Sequence, residues 1–265
     1  MKRIVALAGL SILVSAAAAA QDRVVIPARN STHPRQVYVK SLNKTITVKT
    51  YDGKDVIVEA VGEDGRGRQR RQPPEAAGMR RLDVPRGLEV TEEDNVIHIN
   101  PSVTMGGGGV TITVPVDTSL NLKTHNGSLN VDGVHGEVIA SAFNGHIDLT
   151  HVSGTVVADA FNGPIHVTMD RVDPGKPLSF STFNAKIDVT FPADLKATVK
   201  FKSDRGDIYS DFDMAAGSPT MEPDNTGQGK YRLRFDGGMT GKINGGGVEI
   251  NFRSFNGSIY VRKGK

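Results

Sequence analysis

Apolar and polar residues alternate along most of this chain, and the alternation restarts at a fixed beat. From Gly136 to Gly154, Val138, Ala140, Ala142 and Asn144 share one parity, while Ile139, Ser141 and Phe143 share the other. Alternation over four to eight residues is the pattern of a half-buried strand, because successive side chains point to opposite faces. Past Asn144-Gly145 the alternation resumes, with Ile147 and Leu149 apolar and His146 and Asp148 polar between them. The small apolar set is expected inside, with Asn144 among it. Val152 is expected to fill the next corner.

The same phrase returns. Asn126-Gly127, Asn144-Gly145 and Asn162-Gly163 fall eighteen residues apart and open NGSLNV, NGHIDL and NGPIHV. NAKIDV at Asn184, RGDIYS at Arg205, NGSIYV at Asn256 and NKTITV at Asn43 are variants. The inward sets follow: Val156, Ala158, Ala160 and Asn162, then Ile165 and Val167; Leu122, Thr124 and Asn126, then Leu129 and Val131; Val248, Ile250, Phe252 and Asn256, then Ile259 and Val261; Val37, Val39 and Asn43, then Ile46 and Val48. A fixed period near twenty residues marks a chain wound in stacked turns. The fold class expected is all-β: a single-stranded right-handed parallel β-helix of about seven turns of ~18–22 residues, with an irregular amino-terminal cap. Asparagine suits the corner because its amide mimics a backbone turn and can bond its stacked neighbours. The glycine beside it is expected to supply positive φ.

Two stretches break the beat. Residues 62–81 carry six arginines with Pro73-Pro74 and read as a disordered loop. Residues 213–229, rich in Gly, Pro and Asp, form a second excursion. Between them, Gly87 to Ile99 reads as a hairpin turning at Glu93-Asp94-Asn95, and Gly109 to Val116 as a strand.

Residues 1–20 join Lys2 and Arg3 to a short apolar run and a row of alanines, the pattern of a secretory signal peptide. Residues 21–34 would be an extension and residues 35–265 the solenoid domain. Without cysteine, the chain has no disulfides for an oxidising compartment. Export is expected, to the periplasm in the absence of a carboxy-terminal anchor, barrel or sorting signal. The net charge of +3 falls to +1 without Lys2 and Arg3, so no nucleic-acid partner is expected.

The phrases VTITVPVDTSLNLKTHNGSLNV, GEVIASAFNGHIDLTHVSG, ATVKFKSDRGDIYSDF and GGGVEINFRSFNGSIYVRK resemble a bacterial adhesin-like family of unknown function, the auto-transporter adhesin head-like group, over residues 35 to 262. The resemblance implies a β-solenoid and an exported envelope protein. It brings no catalytic residues, and Arg205 departs from its corner asparagine.

Candidate chemistry lies in outward columns. One reads Asn130, Asp148, His166, Asp188, Tyr209, Tyr260. His166 between Asp148 and Asp188 suggests a divalent-metal site or an acid–base pair acting on a sugar; a solvated cross-turn ion ladder is the simpler reading. Phe143, Phe161, Phe183 and Phe255 precede the corner asparagines, with His125 in the same place. They suggest a stripe for a glycan or a partner surface, or rings that stack on one another. The arginines of Arg66–Arg71 suggest contact with anionic lipid; a corner role suffices for Arg205-Gly206-Asp207. Ligand spacings of the HExxH kind, a nucleophile elbow and a phosphate-loop lysine are absent. No cofactor or resident metal is expected. The sequence thus favours a non-catalytic envelope protein that binds an envelope protein or glycan, or serves as a scaffold. The alternative is a carbohydrate-active β-helix enzyme, a lyase or hydrolase.

Overall fold

The computed structural model describes residues 23–28, 34–61, 88–101, 109–216, 221–224, 232–235 and 238–265. The segment 1–20 and the arginines of 62–81 lie outside them. The described residues are all β. In chain order the strands are β1 (Arg23–Ile26), β2 (Gln36–Ser41), β3 (Thr45–Tyr51), β4 (Val56–Val61), β5 (Leu88–Glu93), β6 (Val96–Pro101), β7 (Gly109–Pro115) and β8 (Ser119–Thr124). There follow β9 (Leu129–Asp132), β10 (Val138–Ala142), β11 (Ile147–Gly154), β12 (Val156–Ala160), β13 (Ile165–Val172), β14 (Leu178–Thr182), β15 (Ile187–Phe191) and β16 (Ala197–Ser203). The last are β17 (Ile208–Ser210), β18 (Ala215–Ala216), β19 (Met221–Asp224), β20 (Arg232–Phe235), β21 (Gly238–Ile243), β22 (Val248–Ser254) and β23 (Ile259–Lys263).

From β8 to β17 the chain alternates between two sheets, and each strand pairs in parallel with a strand one coil away. Ala140 of β10 pairs with Leu122 of β8 and Ala158 of β12. Leu149 of β11 pairs with Val131 of β9 and Val167 of β13. Like residues therefore lie over like, and the inward parity read from the sequence is buried: Val138, Ala140, Ile147, Leu149, Val152, Val156, Ile165 and Val167 are fully enclosed. The hairpin of β5 and β6 is antiparallel, turning at Asp94 and Asn95 with positive φ.

The spatial order of the coils differs from their order in sequence. The ten-stranded sheet runs β1-β4-β7-β3-β9-β11-β13-β15-β23-β17, and the eleven-stranded sheet β18-β21-β16-β22-β14-β12-β10-β8-β2-β6-β5. The last coil, β22 and β23, is seated between the coil of β14–β15 and that of β16–β17. At the other end β2 and β3 lie between β8–β9 and the strands β6 and β7. Residues before 100 do close that end, through β1, β4 and β5, but the first regular coil sits one layer in. The outward column therefore ends Asp188, Tyr260, Tyr209 rather than with Tyr209 first.

Where the last coil enters, the core changes from small aliphatics to aromatics. Phe252 stacks between Phe180 at 5.1 Å and Phe201 at 5.3 Å, and Phe191 meets it edge-on at 6.4 Å. All four rings are buried. Rings of this size bury large apolar areas, and such pairs add about 0.5–1.5 kcal/mol beyond burial.

Two expectations about the corners are corrected. Asn43, Asn126, Asn144, Asn162 and Asn256 are exposed, not inside, and so is Asn184. Each corner places two successive residues outward, so the parity slips by one: Ala142 is buried, Phe143 and Asn144 are exposed, and Gly145 is buried. The corner glycines do not have positive φ, which falls instead at Gly133, Gly154, Gly245 and Gly246. Glycine is favoured at the corners by crowding. A Cβ on Gly145 would run into the Gly127 carbonyl of the coil below, and one on Gly163 into that of Gly145. Ala185 holds the equivalent place in its coil, so a local shift can admit a methyl group.

Candidate functional site

The corner asparagines form one continuous ladder. Each Nδ2 donates to the next Oδ1, from Asn126 to Asn43, Asn144 to Asn126, Asn162 to Asn144, Asn184 to Asn162 and Asn256 to Asn184, at 2.6–2.7 Å. The ladder crosses 72 residues between Asn184 and Asn256 without a break, because the last coil sits beside β14 and β15.

The residues just before these asparagines stack as well. His125, Phe143, Phe161, Phe183 and Phe255 lie ring on ring at 4.7–5.0 Å with interplanar angles of 8° or less. Phe143 and Phe161 are each 41% exposed and Phe183 39%, so the rings cover one another's faces and turn their edges to solvent. The rings stack on one another, as the second reading of the stripe expected, and Phe143, Phe161 and Phe183 remain accessible. Arg205 explains its own departure from asparagine. Its coil is outermost, and its guanidinium lies 5.3 Å over the Phe255 ring, closing the aromatic stack with a cation.

Beside the ladder runs a groove of about 620 Å³. Its floor is the outer face of the larger sheet, where the aligned positions read Lys40, Lys123, Ser141, Asp159, Ser181 and Arg253 on six adjacent strands. Leu42, exposed, continues the aromatic wall past His125. Among the described residues Lys40, Lys123, Asp159 and Arg253 have no ion-pair partner. Asp159 reaches solvent, yet its carboxyl is partly buried, and this burial pushes it above the usual carboxylate range. Sequence reasoning found the ring wall but missed the floor, which comes from the positions two residues upstream and needs the stacking order to be seen as a column.

The Asp148–His166–Asp188 column is only partly assembled. His166 Nδ1 lies 3.3 Å from Asp148 Oδ1, both half exposed. Asp188 is in register with His166 but is 5% exposed and taken by Arg262, whose Nε and Nη2 donate to its two oxygens at 2.7 and 3.2 Å. That bond raises the Arg262 pKa further. Among the described residues no three His, Cys, Asp or Glu side chains gather as a metal set. The three therefore do not gather as one metal set: Asp188 is taken by Arg262, and only the His166–Asp148 pair is in place.

A second imidazole–carboxylate pair was not foreseen. His151 has φ +51° in an irregularity of β11, which turns its Nδ1 to Asp132 Oδ1 at 3.1 Å. Thr150 Oγ1 donates to the same oxygen at 3.0 Å. These bonds hold Asp132 below the usual carboxylate range, and the His151 bond to Asp132, helped by Asp170, holds the imidazole above its own. The signal was the extra residue between Leu149 and Val152, which breaks the period of two.

The profile of the family described as Toastrack DUF4097 matches residues 35–234. The chain belongs to the Toastrack family. That family is one of unknown function, in agreement with the resemblance read from the corner phrases. The Toastrack match stops before β21, β22 and β23, yet β22 and β23 fill the slot between two matched coils. No curated protein matches the chain. A solved structure of a candidate cell adhesion protein from Clostridium sporogenes aligns over 92% of this Toastrack chain and 100% of its own, at 9% identity and a TM-score of 0.45.

Proposed function

We propose that this Toastrack protein is an exported, non-catalytic binding or scaffold protein of the cell envelope, placed in the periplasm, and that it holds an envelope component in the groove beside its aromatic ladder. The proposal takes the coils to wind right-handed in about seven turns, as parallel crossovers do. The observation that carries it is the pairing of an accessible, rigid ring wall with a polar floor that has unpaired cations at its two ends. Five stacked rings present one surface that costs little entropy to hold, and preorganisation of this kind favours binding. A single exposed apolar residue would need no explanation; a contiguous strip that lines a groove does.

The alternative, a carbohydrate-active enzyme, expects two carboxylates facing one another across a sugar. Asp159 is the one carboxylate at the middle of the floor, and Asp148 lies on the other sheet. The test is a glycan array together with capture from envelope extracts, run on the wild type and on Phe161→Ser. Specific, ladder-dependent binding without turnover supports the proposal. Cleavage of a bound oligosaccharide would move the chain to the enzyme reading.

A further inference from the structure

The groove narrows the chemistry of what it can hold. It runs across six strands, from Lys40 on β2 to Arg253 on β22. Five steps of about 4.8 Å make it roughly 24 Å long. Its direction is along the stack, perpendicular to the strands.

A sugar chain gains most from aromatic side chains when it lies on their faces. Here the faces are covered by neighbouring rings at 4.7–5.0 Å, and the wall offers edges alone. An extended peptide gains affinity by adding to a sheet edge. The groove has no such edge, because β2, β8, β10, β12, β14 and β22 are each paired on both sides. A peptide laid there could pair groups on one side with the polar floor, but its N–H and C=O groups facing the ring edges would be left without partners, which costs free energy. An acyl chain has no polar groups to satisfy along its length. About half the hydrocarbon thickness of a bilayer, roughly 15 Å, is the reach of one such chain. The groove accommodates that length with room for a head group.

Charge then fixes the head group and its end. Lys40 and Lys123 are directly paired in register, both exposed, and the adjoining wall residues are Leu42 and His125. Arg253, at the opposite end, shares its part of the groove with Asp204. Arg205 and Lys202 add cations at that end, but Arg205 is engaged with the Phe255 ring and Asp204 offsets the charge, whereas among the described residues no groove carboxylate adjoins Lys40 and Lys123, so the lysine end is taken as the anion site.

We propose that the groove binds a single-chain anionic amphiphile, with its carboxylate or phosphate at Lys40 and Lys123 and its acyl chain along Phe143, Phe161 and Phe183. This rests on the binding reading above and names the ligand class for it. Asp159 lies under the chain's path, and its raised pKa fits a carboxyl that an apolar ligand would cover.

The experiment is displacement of the fluorescent fatty acid cis-parinaric acid by palmitate below its micelle concentration, on the purified protein. The chain has no tryptophan to interfere. Palmitate should displace the probe saturably. Lys40→Ser/Lys123→Ser should weaken palmitate about tenfold, as expected for losing two modest charge contacts, and leave methyl palmitate unchanged. Asp159→Asn should tighten both. Lauryl phosphate in place of palmitate distinguishes a phosphate from a carboxylate head. The lysine pair is on the surface, so circular dichroism and Tm should match the wild type even if Phe161→Ser folds poorly. The proposal is overturned if palmitate does not displace the probe, if the lysine variant binds palmitate unchanged, or if the methyl ester competes equally well. If no acyl probe binds while Phe161→Ser still abolishes capture of an envelope component, the ligand class is wrong and the binding reading survives. If Phe161→Ser changes neither, both fall.

Discussion

Arg262 holds Asp188 with two nitrogens across 74 residues of sequence, at 2.7 and 3.2 Å. The contact exists because β23 lies directly beside β15. It pins the last coil into the slot between coils that precede it in the chain. Asp188 is buried, and its other ion partner is Lys186 Nζ at 3.8 Å. Removing Arg262 leaves a buried carboxylate underpaired, which costs more than the pair itself contributes. Arg262→Ala should lower Tm by several degrees. Asp188→Ala in that background should recover part of the loss, because the unpaired charge goes with it. A melt in which Arg262→Ala is neutral would mean that the pair does not anchor the coil.

The asparagine ladder makes a prediction of its own. Asn144 donates to Asn126 and accepts from Asn162, both at 2.7 Å. The site is exposed, so water replaces part of what is lost. Asn144→Ala should cost about 1 kcal/mol in a urea titration. Asn144→Asp should cost more at neutral pH, since a carboxylate would face the Asn126 oxygen with no proton to give, and should recover on acidification. Equal cost at all pH values would argue against a continuous amide ladder through Asn144.

The aromatic core under the last coil should be the most sensitive place in the molecule. Phe252 is fully buried among Phe180, Phe191 and Phe201. Phe252→Ala should cost about 3–5 kcal/mol, the transfer of the ring plus the cavity it leaves. Phe161→Ala, on the exposed ladder, should cost less, about 1–2 kcal/mol for two lost stacking contacts. Similar losses at the two sites would contradict the division between core and surface rings.

The His151–Asp132 pair gives a pH dependence with a definite sign. His151 is held above its ordinary value near 6.5, so its contribution to stability is complete below that value and is lost as pH rises through its folded pKa. Asp132 is held below the usual carboxylate value near 3.8, so its contribution is complete above that value and is lost as pH falls through its folded pKa. The pair therefore acts between these limits and fades on either side. An NMR titration of the His151 ring should give a midpoint above 6.5, and Asp132→Asn should move it back down. A wild-type midpoint at 6.5 or lower would contradict the hydrogen bond.

Much of this fold could be read from side-chain parity. Val138, Ala140, Ile147 and Leu149 announce their burial because a strand has only two faces. The corner asparagines were misread because the bend spends two residues, Phe143 and Asn144, on the same side, and a strict period of two does not allow for that. Coil order was not legible from the repeat, since every coil offers its neighbours the same register. One local hint existed. The coil of Asp204 and Arg205 alone lacks the corner asparagine, and has an aspartate where most coils have a ring, which suits an outermost position with no further ladder to continue. Half of the groove was visible as the phenylalanine stripe. The other half, the column from Lys40 to Arg253, mixes lysine, serine, aspartate and arginine and has no pattern until the strands are laid side by side.

Ladder, aromatic stack and groove all depend on the last coil being seated inside the stack. The chain has no cysteine, so an introduced pair reports cleanly. Ser181 and Arg253 are direct neighbours in register, and Arg253 in turn neighbours Lys202. Ser181→Cys/Arg253→Cys should cross-link rapidly under mild oxidation or with a short thiosulfonate reagent, while Ser181→Cys/Lys202→Cys, two strand spacings or about 10 Å apart, should not. Cross-linking of 181 with 202 and not with 253 would show coils stacked in sequence order, and the continuous ladder and its groove would not exist.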